Sequence, residues 1–238
     1  MIVLVLGGTG ATGRLVIKKL LAQGNEVIAL VRNSSTLAPQ ERLTTITETA
    51  LTIDKQQLSS ILGTVDAVIC CLGHNLSWRG VYGPPLMLVK NSIQRVVESL
   101  PEQRTSPLKL VLMNTTGNRN LDLNEAISLP QKIVLMILRC CLPPHLDNER
   151  AANLLRKDYK DNNKIEWIAV RPDGLVDEIN VSAYTQHESP TRSAIFDAGK
   201  TSRINVADFM CQLVSDNELW TKWKGQMPVI YNDESSTA

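Results

Sequence analysis

Three glycines, Gly7, Gly10 and Gly13, stand between a short apolar run and an amphipathic segment. No other stretch constrains the chain as much. Ile2 to Leu6 is apolar without alternation, as expected of a central parallel strand covered on both faces. Downstream, "RLVIKKLLAQG" places Leu15, Val16, Leu20 and Leu21 on one helical stripe, with lysines opposite and Gly24 as the stop. "EVIALV" then reads as a second buried strand. A glycine turn inside a strand–turn–helix–strand unit solves a particular problem. Glycine takes φ values that other residues avoid, and without a Cβ the backbone can approach a ligand closely. The helix start adds free N–H groups and a partial positive charge, which suits phosphate.

Gly8-Thr9-Gly10-Ala11-Thr12-Gly13 satisfies G-x-G-x-x-G, and Gly7, Gly10 and Gly13 also satisfy G-x-x-G-x-x-G. In this context the match reads as a dinucleotide-binding turn. The end of the second strand bears on which dinucleotide. An acidic residue there would accept a ribose 2′-hydroxyl, whereas an arginine accommodates a 2′-phosphate. "ALVRNSS" offers Arg32 and no acid, which points to NADP rather than NAD; the alternative role for Arg32 is a solvated loop cation.

The alternation continues. "LTTITETAL" reads as a third strand, "DKQQLSSIL" as a helix capped by Asp54, "DAVICCLG" as a buried strand, and "PLMLVKNSIQRVVESL" as an amphipathic helix. "LKLVLMN" and "IEWIAVRP" are further strands, "LDNERAANLLRK" and "INVADFMCQLVSD" helices, and "MPVIYN" a last strand. This order predicts an α/β fold, a Rossmann-type doubly wound parallel sheet, in a single domain over residues 1–238 with the C-terminal third on the substrate side. "IVLMILRCCL" (Ile133 to Leu142) is apolar all round, so a buried helix is expected there rather than a partner-facing or membrane-surface one.

Composition narrows the function. The 25 basic and 24 acidic residues give a formal net charge of +1, and no like-charge run occurs, so no nucleic-acid surface is expected. The N-terminus lacks the features of a signal peptide, and the longest apolar run is too short for a bilayer span, so no membrane association is expected. The five cysteines include two adjacent pairs and fit no metal or redox spacing. They read as reduced thiols of a cytoplasmic protein, with no metal site. Cys70 and Cys71 should point to opposite faces of a buried strand as core residues.

The glycine turn, "ALVRN", "DAVICCLG", "VLMNTTG" and "WIAVRPDGLVDE" together resemble the atypical short-chain dehydrogenase/reductase proteins, most closely their NmrA-like and biliverdin-reductase-B-like groups. The resemblance runs from Met1 to about Val176, with a weaker echo in "TSRINVADFM". It implies NADP at the C-terminal strand edge. Thr9, Gly10, Ala11 and Thr12 would line the pyrophosphate and Arg32 the 2′-phosphate. Cys71, Leu72 and Gly73 would lie along the adenosine, Thr115 near the nicotinamide ribose, and the backbone of Arg171 and Pro172 near the nicotinamide.

Two departures bear on activity. Leu51 stands where family members often carry an Asp against the adenine. Where a YxxxK pair would be, the chain has "HLDNE", with His145 for the tyrosine and Glu149 for the lysine. None of the four tyrosines has a lysine at the required spacing. A tyrosine proton relay is therefore not expected. The candidate catalytic residues are His145, Asn114 and Thr115; the alternative role for His145 is a solvent-facing residue at a helix start. His74 and the loop "HNLSWRGVYGPP" supply Trp78, Arg79 and Tyr82, which either stack on a flat acceptor or close their own loop. The expected function is hydride transfer from NADPH to a planar small molecule such as a flavin or quinone. A non-catalytic NADP-sensing regulator and a sugar-nucleotide epimerase or dehydratase are the alternatives.

Overall fold

A computed structural model describes residues 1–33, 36–75 and 77–233. Strands β1 (Ile2–Leu6), β2 (Glu26–Leu30), β3 (Leu43–Ile46), β4 (Ala67–Cys70), β5 (Leu108–Met113) and β6 (Ile165–Pro172) are parallel and ordered β3-β2-β1-β4-β5-β6. Two further strands, far apart in the chain, complete the eight-stranded sheet. Strand β10 (Val229–Asn232) runs parallel to β6, and β8 (Tyr184–His187) runs antiparallel at the edge. β7 (Gly174–Val176) and β9 (Lys200–Ser202) pair separately. The strand order reverses between β1 and β4, which opens a crevice at their C-terminal ends.

Helices cover both faces. On one lie α2 (Lys55–Thr64), α4 (Leu88–Glu98) and α6 (Pro143–Asn153), whose Leu58, Leu62, Ile93, Val96 and Ala151 pack on Leu4, Val68 and Leu110. On the other, α1 (Ala11–Ala22), α7 (Arg203–Ser215) and α8 (Asn217–Trp223) pack Val16, Ile17, Phe209 and Trp220 on Val3, Val5 and Ile69. Cys70 belongs to the first core and Cys71 packs against the second, so the two thiols do point to opposite faces. Burial pushes the Cys70 thiol up to about 12 and raises Cys71 well above its usual value, which makes both poor nucleophiles. Asp54 caps α2, accepting from the N–H groups of Gln56 and Gln57 at 2.8 and 3.1 Å.

Two expectations need correction. The inward stripe of α1 is Thr12, Gly13, Val16, Ile17 and Leu20, while Leu15 and Leu21 are only half-buried. The helix starts at Ala11, and its first turn sits directly on the glycine turn. The second concerns α5 (Leu129–Cys141), which is not buried. Only Gln131 among its residues is enclosed, and Leu129, Ile133, Met136 and Ile137 are 70, 48, 60 and 52% exposed. Its neighbour α6 already occupies the sheet face; α5 lies against α6, with Val134, Leu135 and Leu138 half-buried. Short α3 (Trp78–Tyr82) lies beside this region.

Candidate dinucleotide site

The glycine turn joins β1 to α1 with each glycine placed for its own reason. Gly7 has φ +78°, and a Cβ there would meet the Cys71 carbonyl carbon and oxygen, each at 2.6 Å. The turn therefore rests directly on the segment that follows β4. A Cβ on Gly13 would strike the Gly7 carbonyl oxygen. A Cβ on Gly10 would meet only that same oxygen, at 3.3 Å, and otherwise open space. Gly7 and Gly13 thus build the turn, and Gly10 keeps its outer side clear.

The start of α1, like those of α4 and α6, lacks a side-chain cap and a first-turn acid. Helices α2, α5, α7 and α8 are capped by the side chains of Asp54, Ser128, Ser202 and Asp216. Helix α1 has Gly10 at its N-cap, no side-chain cap and no acid in its first turn. Its first N–H groups have no side-chain acceptor. Arg14 adds a cation in the same turn, its Nε donating to Thr9 O at 2.9 Å. A cation at a helix N-terminus opposes the dipole unless an anion lies between them. In the sequence the signal for Arg14 is a basic residue directly after the last glycine of the motif.

Thr9, Arg32, Asn33 and Thr36 line a cleft of about 310 Å³. The glycine turn and the end of β2 therefore meet around one space, as the phosphate reading of Arg32 requires. Ser34 and Ser35 of "ALVRNSS" lie outside the described residues. Thr9, Gly10 and Ala11 reach solvent, whereas Thr12 and Gly13 are buried and offer only backbone. Beyond Cys71, Leu72 is half-buried and Gly73 is open, with no atom near the position of a Cβ. These features fit a dinucleotide: an uncapped helix start, a glycine without a neighbour and a basic cleft. Among the described residues no cluster of His, Cys, Asp or Glu is arranged to hold a metal ion.

The strand-end turns after β5 and β6 form the other half of the edge. Asn114 Nδ2 donates to Asn148 O at 3.0 Å, and its Oδ1 accepts from Thr115 N at 2.8 Å and from Asn118 Nδ2. The Asn114 amide oxygen accepts twice and its Nδ2 donates once, so it ties the turn to the body of α6. Thr115 Oγ1 accepts from Gly117 N at 3.2 Å. His145 packs against this turn, its Cε1 lying 3.4 Å from where a Cβ on Gly117 would stand. His145 is half-buried, not simply solvent-facing, and burial lowers its pKa, opposed in part by Glu149. Glu149 itself pairs with Arg139 at 3.3 Å, so it does not fill the place of a lysine.

For Arg171 the resemblance implies only backbone, with that of Pro172, near the nicotinamide, which leaves its side chain for a structural role. Its side chain is wholly buried, 2.7 Å from Glu125 Oε1, and it also donates to the carbonyls of Met227, Asn118 and Glu188. Its backbone N–H donates to Pro228 O, and Pro172 O accepts from Thr116 N at 3.1 Å. Arg171 and Pro172 hold the β5 and β6 turns together. Two of the four tyrosine hydroxyls are engaged away from Thr115: Tyr82 donates to Cys141 O at 3.1 Å and Tyr184 to Asp208 Oδ2 at 2.6 Å. Trp78 and Tyr82 pack on each other with ring centroids 4.8 Å apart, so the aromatics at least partly close their own loop; Leu76 within it lies outside the described residues.

No curated protein sequence matches the chain. Among solved structures, it resembles a Streptococcus pneumoniae protein described as a candidate NADH-flavin reductase, with a TM-score of 0.69, 16% identity, and 98 and 100% of the two chains covered. ChuY, an anaerobillin reductase from Escherichia coli O157:H7, aligns with a TM-score of 0.69 at 15% identity over 98% of each chain. A wide-type short-chain dehydrogenase/reductase of Veillonella parvula in complex with NADP aligns at 0.66 and 15% identity, covering 98 and 95%. Such identities speak for the fold. The family model described as NAD(P)H-binding matches residues 7–217, and the chain belongs to that NAD(P)H-binding family.

Proposed function

We propose that the protein is an NADPH-dependent reductase passing hydride to a planar acceptor such as a flavin or quinone. The observation that carries the cofactor preference is the Thr9–Arg32–Asn33–Thr36 cleft, which holds a guanidinium and no carboxylate. A 2′-phosphate gains a charge-assisted partner there, and a 2′-hydroxyl finds no acidic acceptor. The nicotinamide, when bound, supplies the hydride. The uncapped start of α1, with Arg14 beside it, holds the phosphates, and Thr115 orients the sugar at the far end.

The acceptor class follows from what surrounds Thr115. Tyr82 and Tyr184 have their hydroxyls bound elsewhere, and His145 stands against the Thr115–Gly117 turn. A flavin or quinone needs no strongly acidic tyrosine, because the acceptor takes hydride readily and its proton can come from His145 or water. The reductase names of two structural neighbours agree with this reading.

The test is NADPH oxidation by the full chain with FMN, a short-chain quinone and an aldehyde as separate acceptors. Turnover with FMN or quinone, and kcat/KM for NADPH about tenfold or more above that for NADH, is expected. Tight NADP binding without turnover on any acceptor would contradict the reductase reading and favour a non-catalytic regulator.

A further inference from the structure

Helix α5 carries an apolar stripe on its outer side. Leu129, Ile133, Met136, Ile137 and Cys140 recur at helical spacing on one face, and all are exposed. Beside its C-terminal end, Tyr82 donates to Cys141 O, and Trp78, packed on Tyr82, is 81% exposed. A contiguous surface of this kind marks an interaction site.

Charge selects what covers it. The sequence has no Asp or Glu from Ala67 to Val97 or from Ala126 to Leu146, the two segments that hold α3 and α5. Lys132 and Arg139 flank the stripe on α5, and Arg79 is exposed on α3. The nearest carboxylates past α5 are Asp147, which is buried and hydrogen-bonded, and Glu149, which faces Arg139. A second copy laid antiparallel on this stripe would bring Lys132 and Arg139 of the two chains together, with Glu149, already held by Arg139, as the one nearby acid. An anionic surface meets the cations and receives the apolar side chains together. A basic-flanked helix with Leu, Ile and Met outward and a Trp at its margin has the features of a helix lying in a bilayer interface.

We infer that the α3–α5 face docks on the surface of an anionic lipid bilayer. Among the described residues no helix is long and apolar enough to cross a membrane, so the attachment is peripheral. The face adjoins the proposed site, since α5 leads directly into α6 and His145. The inference does not depend on which cofactor binds.

The experiment floats the full chain with vesicles of phosphatidylcholine alone and of phosphatidylcholine mixed with phosphatidylglycerol. Trp78 gives an internal probe, because Trp167, Trp220 and Trp223 are buried. Flotation with the anionic vesicles only, with a blue-shifted emission that Trp78→Phe removes, is the expected result. Lys132→Gln should weaken the binding roughly fivefold. Ile133→Asp with Met136→Asp should abolish both signals while leaving the circular dichroism and NADP affinity intact, because both side chains face outward. Equal binding to neutral vesicles, or none to either, would overturn the inference. So would a dimer, seen by sedimentation, that Ile133→Asp separates, since the face would then belong to a second copy.

Discussion

His74 Nε2 stands 2.8 Å from Asp147 Oδ2, across 73 residues of chain, with both side chains almost wholly enclosed. His74 Nδ1 donates to Gly80 O at 3.1 Å, and Asp147 also accepts from the N–H groups of Val89 and Lys90 at 2.7 and 2.9 Å. One carboxylate thus ties the segment after Gly73, the start of α4 and the body of α6. It fixes His145 relative to the cofactor edge.

Asp147→Ala would strand the imidazole and two backbone donors together. We expect a loss of about 3–5 kcal/mol, read by urea denaturation. Asp147→Asn keeps one acceptor oxygen, with an NH2 in place of the other, and should lose less, about 1–3 kcal/mol. An Ala variant as stable as the parent would contradict this role.

Arg171 and Glu125 form the other buried pair. Arg171→Ala leaves Glu125 unpaired in the core and should cost about 3–5 kcal/mol. The folded fraction should bind NADP as the parent does, because the guanidinium faces Glu125 and three carbonyls rather than the cleft. A stable variant that has lost cofactor affinity would give the Arg171 side chain, and not its backbone alone, a part in the site.

The glycines separate folding from binding. Gly13→Ala drives a Cβ onto the Gly7 carbonyl and should lower the thermal midpoint sharply. Gly10→Val meets only one atom, at 3.3 Å, and its extended backbone suits a β-branched residue, so the fold should persist. Its side chain fills the space above the helix start, and NADP binding should vanish. A folded Gly10→Val chain with unchanged affinity in a fluorescence titration would mean that the turn holds no phosphate.

Much of this is legible in the sequence. The strand–glycine–helix unit is local, and its chemistry follows from spacing within fourteen residues or so. Asp54 and the opposed cysteines were likewise readable from neighbours in sequence. What escaped was long-range. "VRP" named Arg171 correctly as special, yet its partners Glu125 and Glu188 lie on distant loops, so the sequence could not show that it faces inward. His74 and Asp147 each looked unremarkable until the fold joined them. Helix α5 misled because apolar residues all round a helix indicate burial only if a layer is free to receive them, and α6 had taken that place. The edge strands β7, β8 and β9 are short and partly polar, too weak in pattern to stand out.

His145 gives a pH test with a definite sign. Burial holds its pKa below 6.5 in the folded chain, so the unfolded chain binds the proton more readily. Its contribution should leave stability unaffected above the unfolded value and reduce it as pH falls below about 6.5. His145→Gln should flatten that acid-side slope. If the imidazolium also donates the proton in turnover, kcat should rise as pH drops below 6.5 and fall about a hundredfold or more in His145→Ala. Unchanged kcat would leave water as the source. Changing Tyr82, Tyr159, Tyr184 or Tyr231 to Phe should each preserve most activity; a hundredfold loss from any one would overturn the tyrosine-free mechanism.

The central claim is that the Thr9–Arg32 cleft receives a 2′-phosphate, and titration calorimetry of NADP and NAD against the parent and Arg32→Ala chains tests it most directly. Loss of one charge-assisted phosphate contact is worth about 1.5–3 kcal/mol, or roughly tenfold to a hundredfold in Kd. The parent should bind NADP more tightly than NAD, and Arg32→Ala should weaken NADP by that factor while leaving NAD almost unchanged. Equal losses for the two dinucleotides, or a parent chain that prefers NAD, would contradict the account.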